Sequence, residues 1–324
     1  MRRISFLVLA ALAVIGVACG DNPPASAPTT GVSELGATTA AVAATTTGSP
    51  GFPVTIETPT GPVTIPDQPD AIISLSATAT EMLFAIGAGE QVVAVDSFSD
   101  YPADAPTTDL SGFTPNVEAI ASYAPDLVVV SFDPEGLVAA LTSLDIPVIH
   151  HDAAVTIDDT YTQIEQLGAA TGHVEESVAV VEEMRTEIDS LIAGLPASTE
   201  GVTYYHELDE SLVSATSATF IGQLYSLLGL VNIADGSDPD GFGYPQLSAE
   251  AIIAADPHFI FLADTICCGQ TQATVAARPG WETLQAVVAG RVVELDDSVA
   301  SRWGPRVVDL LRTVASAVSG VPVG

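Results

Sequence analysis

The stretch Glu118-Ala-Ile-Ala-Ser-Tyr-Ala-Pro125-Asp-Leu-Val-Val-Val130 carries the plan of the fold. Glu-Ala-Ile opens a short helix. The proline seven residues after the glutamate disfavours helical backbone at the residue before it. Leu127 to Val130 then reads as a strand buried on both faces. The same order returns at Glu250-Ala-Ile-Ile-Ala-Ala-Asp-Pro257-His-Phe-Ile-Phe-Leu262. Either a common helix–proline–strand unit arose twice, or the chain holds two similar lobes with one equivalent glutamate each.

Outward from these two units, short β-rich runs alternate with helical runs, the pattern of α/β layers. Val54-Thr-Ile and Val63-Thr-Ile flank Thr58-Pro-Thr-Gly61 and predict a hairpin. Strands are expected at 71–75, 91–96, 127–131 and 147–150, with helices at 80–86, 117–123 and 136–144. In the second half, strands are expected at 202–205, 258–263 and 291–295. Helices are expected there at 218–228, 249–255, 281–288 and 305–318, the last opened by Pro305 where a missing N–H costs nothing. Between the halves, residues 157–195 contain no proline. Ile164, Leu167, Val174, Val178, Val181, Met184, Ile188 and Leu191 recur at helical spacing. Thr171-Gly172 is the soft spot, so this bridge is two helices or one bent helix. The expectation is two doubly wound α/β lobes, 52–156 and 196–324, joined by a long interlobe helix at 157–195. A helical bridge implies a stiff hinge.

The ends set the compartment. Arg2 and Arg3 precede an apolar run from Ile4 to Val17, too short for a stable membrane span. Gly16-Val17-Ala18-Cys19 then resembles a bacterial lipobox, with Gly16 where leucine is usual. Residues 1–19 therefore read as a secretory signal, with Cys19 as the lipidation site or as an incidental cysteine after an ordinary cleaved signal. Residues 20–51 are almost wholly Ala, Thr, Gly, Ser and Pro. They cannot bury enough apolar surface to offset their ordering entropy, and read as a flexible linker. The expected location is extracytoplasmic, anchored to the membrane by lipid only.

Lys+Arg number 8 against 41 Asp+Glu, a net charge of -33, and lysine is absent. Such a surface repels nucleic acid and anionic lipid. Cys267 and Cys268 are adjacent, in a compartment where disulfides persist. They form either a vicinal disulfide or two free thiols, and cannot make a CxxC motif.

Several ordered stretches resemble the Fe/B12-type periplasmic binding proteins of ABC importers, the group with a helical interlobe backbone. They are Ile73-Ser-Leu-Ser-Ala-Thr-Ala-Thr-Glu-Met-Leu-Phe-Ala-Ile-Gly-Ala-Gly89, Val95-Asp-Ser-Phe-Ser-Asp-Tyr-Pro102, Gly112-Phe-Thr-Pro-Asn-Val-Glu-Ala-Ile120 and Ala124-Pro-Asp-Leu127. Pro245-Gln-Leu-Ser-Ala-Glu250, Ala277-Arg-Pro-Gly-Trp281 and Ser301-Arg-Trp-Gly-Pro-Arg306 continue the match in the second half. The resemblance implies a monomer that catches an iron chelate (ferric siderophore or haem) or a corrinoid in the cleft. It implies delivery to a dimeric permease driven by an ATPase, with no covalently bound cofactor. It also implies that Glu118 and Glu250, the echoed pair, dock onto permease arginines. Both can equally be solvated helix-start carboxylates that favour the dipole, and the two roles are compatible.

Ligands of open α/β sheets sit beyond the carboxyl ends of strands. Those positions include Phe98, Phe113, Phe132, Tyr205, Phe220, Tyr244, Arg302 and Trp303, an aromatic-rich set for a flat ligand. By resemblance, Phe98, Tyr244 and Arg302 match ligand-facing positions, although several tryptophans common in corrinoid binders are absent. Arg302 could pair with a ligand carboxylate, and Arg306 reads as structural, bound to a nearby Asp. The alternative is a direct zinc or manganese binder using His150, His151 and His206 with Asp264 or Glu207. That needs convergence in the cleft, and no metal site is assigned. An exported enzyme is the third class. The chain has no G-x-S-x-G elbow, P-loop or G-x-G-x-x-G, and no catalytic residue is assigned.

Overall fold

The computed structural model describes residues 51–320. Cys19, the expected signal and nearly all of the expected linker lie outside the described residues.

The expected hairpin opens the domain as antiparallel strands β1 (Val54–Ile56) and β2 (Val63–Ile65). The first lobe follows. Its strands are β3 (Ile72–Leu75), β4 (Val92–Asp96), β5 (Thr107–Leu110), β6 (Leu127–Val130) and β7 (Val148–His150), and its helices are α1 (Ala77–Ala85), α2 (Val117–Ala121) and α3 (Leu137–Thr142). The strands form one parallel sheet in the order β5-β4-β3-β6-β7. Strand β5, with sequence TTDL, was not expected because its polar pattern lacks the apolar signal of a strand.

The bridge consists of two helices, α4 (Ile157–Thr171) and α5 (Val174–Gly194). Gly172 separates them in the left-handed region at φ 82, where a Cβ would be strained. Arg185 of α5 reaches back to Asp158 at 3.2 Å and lies over the Tyr161 ring, so the two helices run antiparallel. The first belongs to the first lobe: Gln68 and Gln91 donate to the Thr171 carbonyl at its end. The second is the long interlobe helix, and its 21 residues span about 30 Å.

The second lobe contains strands β8 (Thr203–Glu207), β9 (Val231–Asn232), β10 (Phe259–Leu262) and β11 (Val292–Glu294). Its helices are α6 (Phe220–Leu227), α7 (Ala249–Ala255), α8 (Thr265–Cys268), α9 (Gln272–Ala276), α10 (Gln285–Val288), α11 (Asp297–Ser301) and α12 (Val307–Val318). The sheet is again parallel, in the order β11-β10-β8-β9. Read from the other edge, β9-β8-β10-β11 repeats the topology of β4-β3-β6-β7. Within this repeat β6 and β10 are equivalent, and each follows one of the echoed Glu-Ala-Ile helices. Both units place a left-handed residue before the proline, Ala124 at φ 49 and Asp256 at φ 42. The expected helix at 281–288 is instead a 3-10 turn, Trp281–Thr283, followed by α10, with Leu284 extended between them.

Alternate residues of each sheet enter different cores. Ile72, Leu127, Val129, Tyr204, Phe259 and Phe261 join one cluster that also takes in Ile164, Met184, Ile188, Leu311 and Val314 from α4, α5 and α12. The opposite faces, with Ile73 and Val128 in one lobe and Tyr205 and Ile260 in the other, have separate cores. The large cluster therefore runs continuously from lobe to lobe. Because separating the lobes would expose it, unfolding is expected to be one cooperative transition. Calorimetry should give equal calorimetric and van't Hoff enthalpies, and two resolved peaks would refute the shared core.

Candidate functional site

The carboxyl ends of β3, β4, β5 and β6 converge on one wall of a cleft of about 350 Å³. Phe98, Phe113 and Phe132 form its apolar surface. Their rings meet in sequence, at 5.5 Å edge-on and then at 5.1 Å. They are 57, 56 and 51 % exposed, so packing within the fold does not account for them. Contiguous exposed aromatics of this kind mark a binding surface.

Beneath the rings lies a ladder of buried hydroxyls. Ser131 donates to Ser76 at 2.7 Å, and Thr80 donates to Ser74 at 2.9 Å. Thr80 also bonds Ser99 at 2.9 Å, and Ser99 donates to Asp96 at 2.6 Å. These bonds tie the strand ends together and hold the phenylalanine loops in place. Burial pushes the Asp96 carboxyl above its ordinary pKa, against the hydrogen bonds from Ser99. Gly112 permits the closest approach in this wall. A Cβ there would meet the Leu75 carbonyl oxygen at 2.3 Å, so a side chain would push Phe113 out of position.

The opposite wall comes from α11 and the loop after it: Asp297, Ser298, Ser301, Arg302 and Trp303. The Trp303 indole donates to Gln163 of α4 at 2.8 Å, and Gln163 donates to the Asp152 carbonyl. Asp297 accepts the backbone N–H groups of Thr265, Ile266 and Cys267. This fixes the start of α8, in which the Cys267 and Cys268 sulfurs are in bonding contact as a vicinal pair.

Between the walls sits Glu81 of α1, 2 % exposed. It receives Arg302 at 2.9 Å, and Arg306 at 2.5 Å and 3.0 Å. Arg302 also donates to the Phe98 carbonyl at 2.9 Å and pairs with Asp100 at 2.8 Å. Arg306 stacks over Tyr101 at 4.1 Å. Arg306 is thus structural, as its place in the sequence implied, but its partner is a glutamate of the other lobe and not a nearby Asp. Arg302 lines the cleft with both terminal nitrogens already engaged, so a ligand carboxylate would meet a guanidinium whose charge is already shared by Glu81 and Asp100.

Five of the eight expected ligand-facing residues come together here: Phe98, Phe113, Phe132, Arg302 and Trp303. The other three do not line this cleft. Strand β8 runs two residues past the expected end, and this buries Tyr205 edge-on to Trp281 in the second-lobe core. Phe220 turns into the large shared core at the start of α6. Tyr244 is half-exposed on a loop held by Asp238, which accepts from the N–H groups of Phe242 and Gly243. Asp96, Asp297, Ser298 and Ser301 were not singled out from the sequence. Only their positions at a strand end or at the ends of a short helix could have signalled them.

The metal candidates are dispersed. His150 and His151 end β7 in the first lobe, whereas His206 and Glu207 end β8 in the second. Burial lowers both His151 and His206 to about 4. Glu207 is held bidentately by Arg278 at 2.6 Å. Asp264 is raised to about 7 by burial and by the nearby Glu207 charge. Among the described residues, no three His, Cys, Asp or Glu are placed to hold a metal ion.

Glu118 and Glu250 occupy equivalent exposed positions. Each lies in the first turn of its helix, capped by Asn116 or Ser248. Both helices lead into a parallel strand, so the connectivity puts both glutamates on the cleft side of their lobes.

Two parallel-sheet lobes around an aromatic cleft define a two-lobed solute-binding protein. The profile of the periplasmic binding protein family matches residues 72–299, and the chain belongs to that family, whose members are transport components and not enzymes. It is 27% identical over 277 residues to YvrC of Bacillus subtilis, an uncharacterized ABC transporter substrate-binding lipoprotein, covering 82% of this chain and 86% of the relative. It is 29% identical over 265 residues to the cobalamin-binding protein of Halobacterium salinarum, covering 79% and 71%. Among solved structures, BtuF, the periplasmic vitamin B12 binding protein of Vibrio cholerae, matches with TM-score 0.65 and 27% identity over 78% of this chain and 97% of the other. The periplasmic heme-binding protein RhuT from Roseiflexus sp. RS-1 matches with TM-score 0.67 over 77% and 98%, and at 23% identity it speaks for the fold alone.

Removing the Glu81 carboxylate would leave the largely buried Arg306 unpaired and Arg302 held only by Asp100 and the Phe98 carbonyl. Glu81→Ala is expected to cost about 3–5 kcal/mol of unfolding free energy, measured by urea denaturation. A loss below about 1 kcal/mol, the size of a surface pair, would refute its structural role.

Proposed function

We propose that this protein is the extracytoplasmic solute-binding subunit of an ABC importer and that it carries a ferric siderophore or a corrinoid to its permease. The observation that carries this reading is the exposed triad Phe98, Phe113 and Phe132, which offers an apolar face to a bulky, flat-sided ligand. A chelate of that size would stand partly out of a cleft of about 350 Å³, with its face on the rings. The lining also bears on the metal. A protein-bound haem iron takes His, Cys, Met or Tyr as axial ligand, and none of these is among the described lining residues. That favours chelates whose coordination is complete before they bind. The cobalamin-binding relatives support the corrinoid within that class. Lipidation at Cys19 belongs to the same reading, supported by the lipobox-like sequence and by the named lipoprotein relative, and the reading includes a monomeric state.

Tryptophan fluorescence separates the alternatives. Trp303 lines the cleft, whereas Trp281 is buried in the second lobe. Titration of the purified protein with cyanocobalamin and ferric siderophores should give saturable quenching beyond the inner-filter effect. The quenching should persist in Trp281→Phe and vanish in Trp303→Phe. A response to zinc(II) alone would refute the chelate reading.

We assign Glu118 and Glu250 to permease docking, as two carboxylates that would register the lobes on a two-fold partner. Glu118→Arg with Glu250→Arg should leave chelate affinity unchanged and reduce uptake by reconstituted transporter by roughly tenfold or more. Undiminished uptake by the double variant would remove the assignment.

A further inference from the structure

Arg302 is the one cationic side chain among the described residues lining the cleft. One terminal nitrogen is bonded to Glu81 at 2.9 Å, and the other to the Phe98 carbonyl and to Asp100, at 2.9 Å and 2.8 Å. The next guanidinium, Arg306, is spent on both oxygens of Glu81. Asp96 and Asp297 line the same cleft. Carboxylates thus outnumber guanidiniums around the ligand space, in a chain of net charge -33. An incoming anion would have to displace Asp100 from Arg302 or lie beside it, and like charges brought together at an interface are strongly unfavourable. The field of the whole molecule acts in the same direction during approach.

We infer that Glu81 and Asp100 set the charge class of the ligand. By pairing with both terminal nitrogens of Arg302 they offset the one positive charge in the cleft, so the cleft takes neutral or cationic chelates and disfavours anionic ones. The inference rests on the chelate-binding reading above and deepens it. Glu81 and Asp100 are positioning residues, acting through Arg302. Asp100 is the sharper probe, because its side chain is 65% exposed at the rim and its loss does not strip the buried pair.

The test compares ligands that differ in charge, and reads how the preference between them moves in the variants. One series is cyanocobalamin and its monocarboxylic acid, in which a peripheral amide has been hydrolysed. The other is a neutral ferric trihydroxamate and an anionic ferric triscatecholate. Affinities are measured by calorimetry at low and physiological salt for the wild-type protein, Asp100→Asn and Glu81→Gln. In the series that binds, the wild type is expected to favour the neutral member by roughly tenfold or more. Asp100→Asn should shrink that ratio several-fold, chiefly by tightening the anionic member. Glu81→Gln should act in the same direction if it folds, and Asp100→Asn decides if it does not. A purely structural role would change both members alike and leave the ratio fixed. Equal wild-type affinity for both members, or a ratio unmoved in Asp100→Asn, overturns this inference and leaves the chelate reading standing. No binding of any member in either series overturns both.

Discussion

A buried carboxylate of one lobe, held by two guanidiniums of the other, is the constraint around which the cleft is arranged. Glu81 is placed by α1, whose N-cap Ser76 is itself part of the strand-end hydroxyl ladder. Arg302 and Arg306 stand at the two ends of a short loop, so binding both to one side chain fixes that loop. Gly304 packs against Glu81 between them, at a distance that leaves little room for a larger residue. Trp303 is then directed to Gln163 and the cleft wall is complete. None of these charges could be buried alone. Each is tolerated because its partners are in place.

The charge cluster works together with the shared hydrophobic core. Aromatic residues of the second-lobe sheet and aliphatic residues of the first meet the same helices, α4, α5 and α12. A ligand therefore finds two walls whose relation is already largely settled, and a large hinge closure would have to break both the core and the charge cluster. Preorganised walls spend little binding free energy on ordering. Rigidity also suits the proposed docking role, since two carboxylates can register a partner only if their separation is maintained.

Much of this was legible in the chain. The repeated helix–proline–strand unit reports two lobes of one topology, and its physical signals are local: a capped helix start, a proline stop and a buried apolar strand. Phe98 and Phe132 could be placed in the cleft because each follows a predicted strand closely, and Phe113 and Trp303 because each shortly precedes a predicted helix. Tyr205 could not, because a two-residue extension of β8 decides whether its ring faces a cleft or a core. Phe220 failed for a related reason, since an aromatic at a helix start can face either way. Strand β5 carries no apolar signal and exists through its pairing with β4.

The amino-acid sequence by itself determined the α/β class, the pair of equivalent lobes, the helical bridge and the acidic surface. All of these follow from local propensity, periodicity and composition. Tertiary structure decided which side chains meet across the lobes. Glu81 lies more than two hundred residues from Arg302 and Arg306, and no periodicity connects them. Their pairing depends on the antiparallel turn at Gly172 and on the loop after α11. That pairing converts Arg302 from a free cation into an occupied one, because the charge available to a ligand is what remains after the protein's own groups have been satisfied.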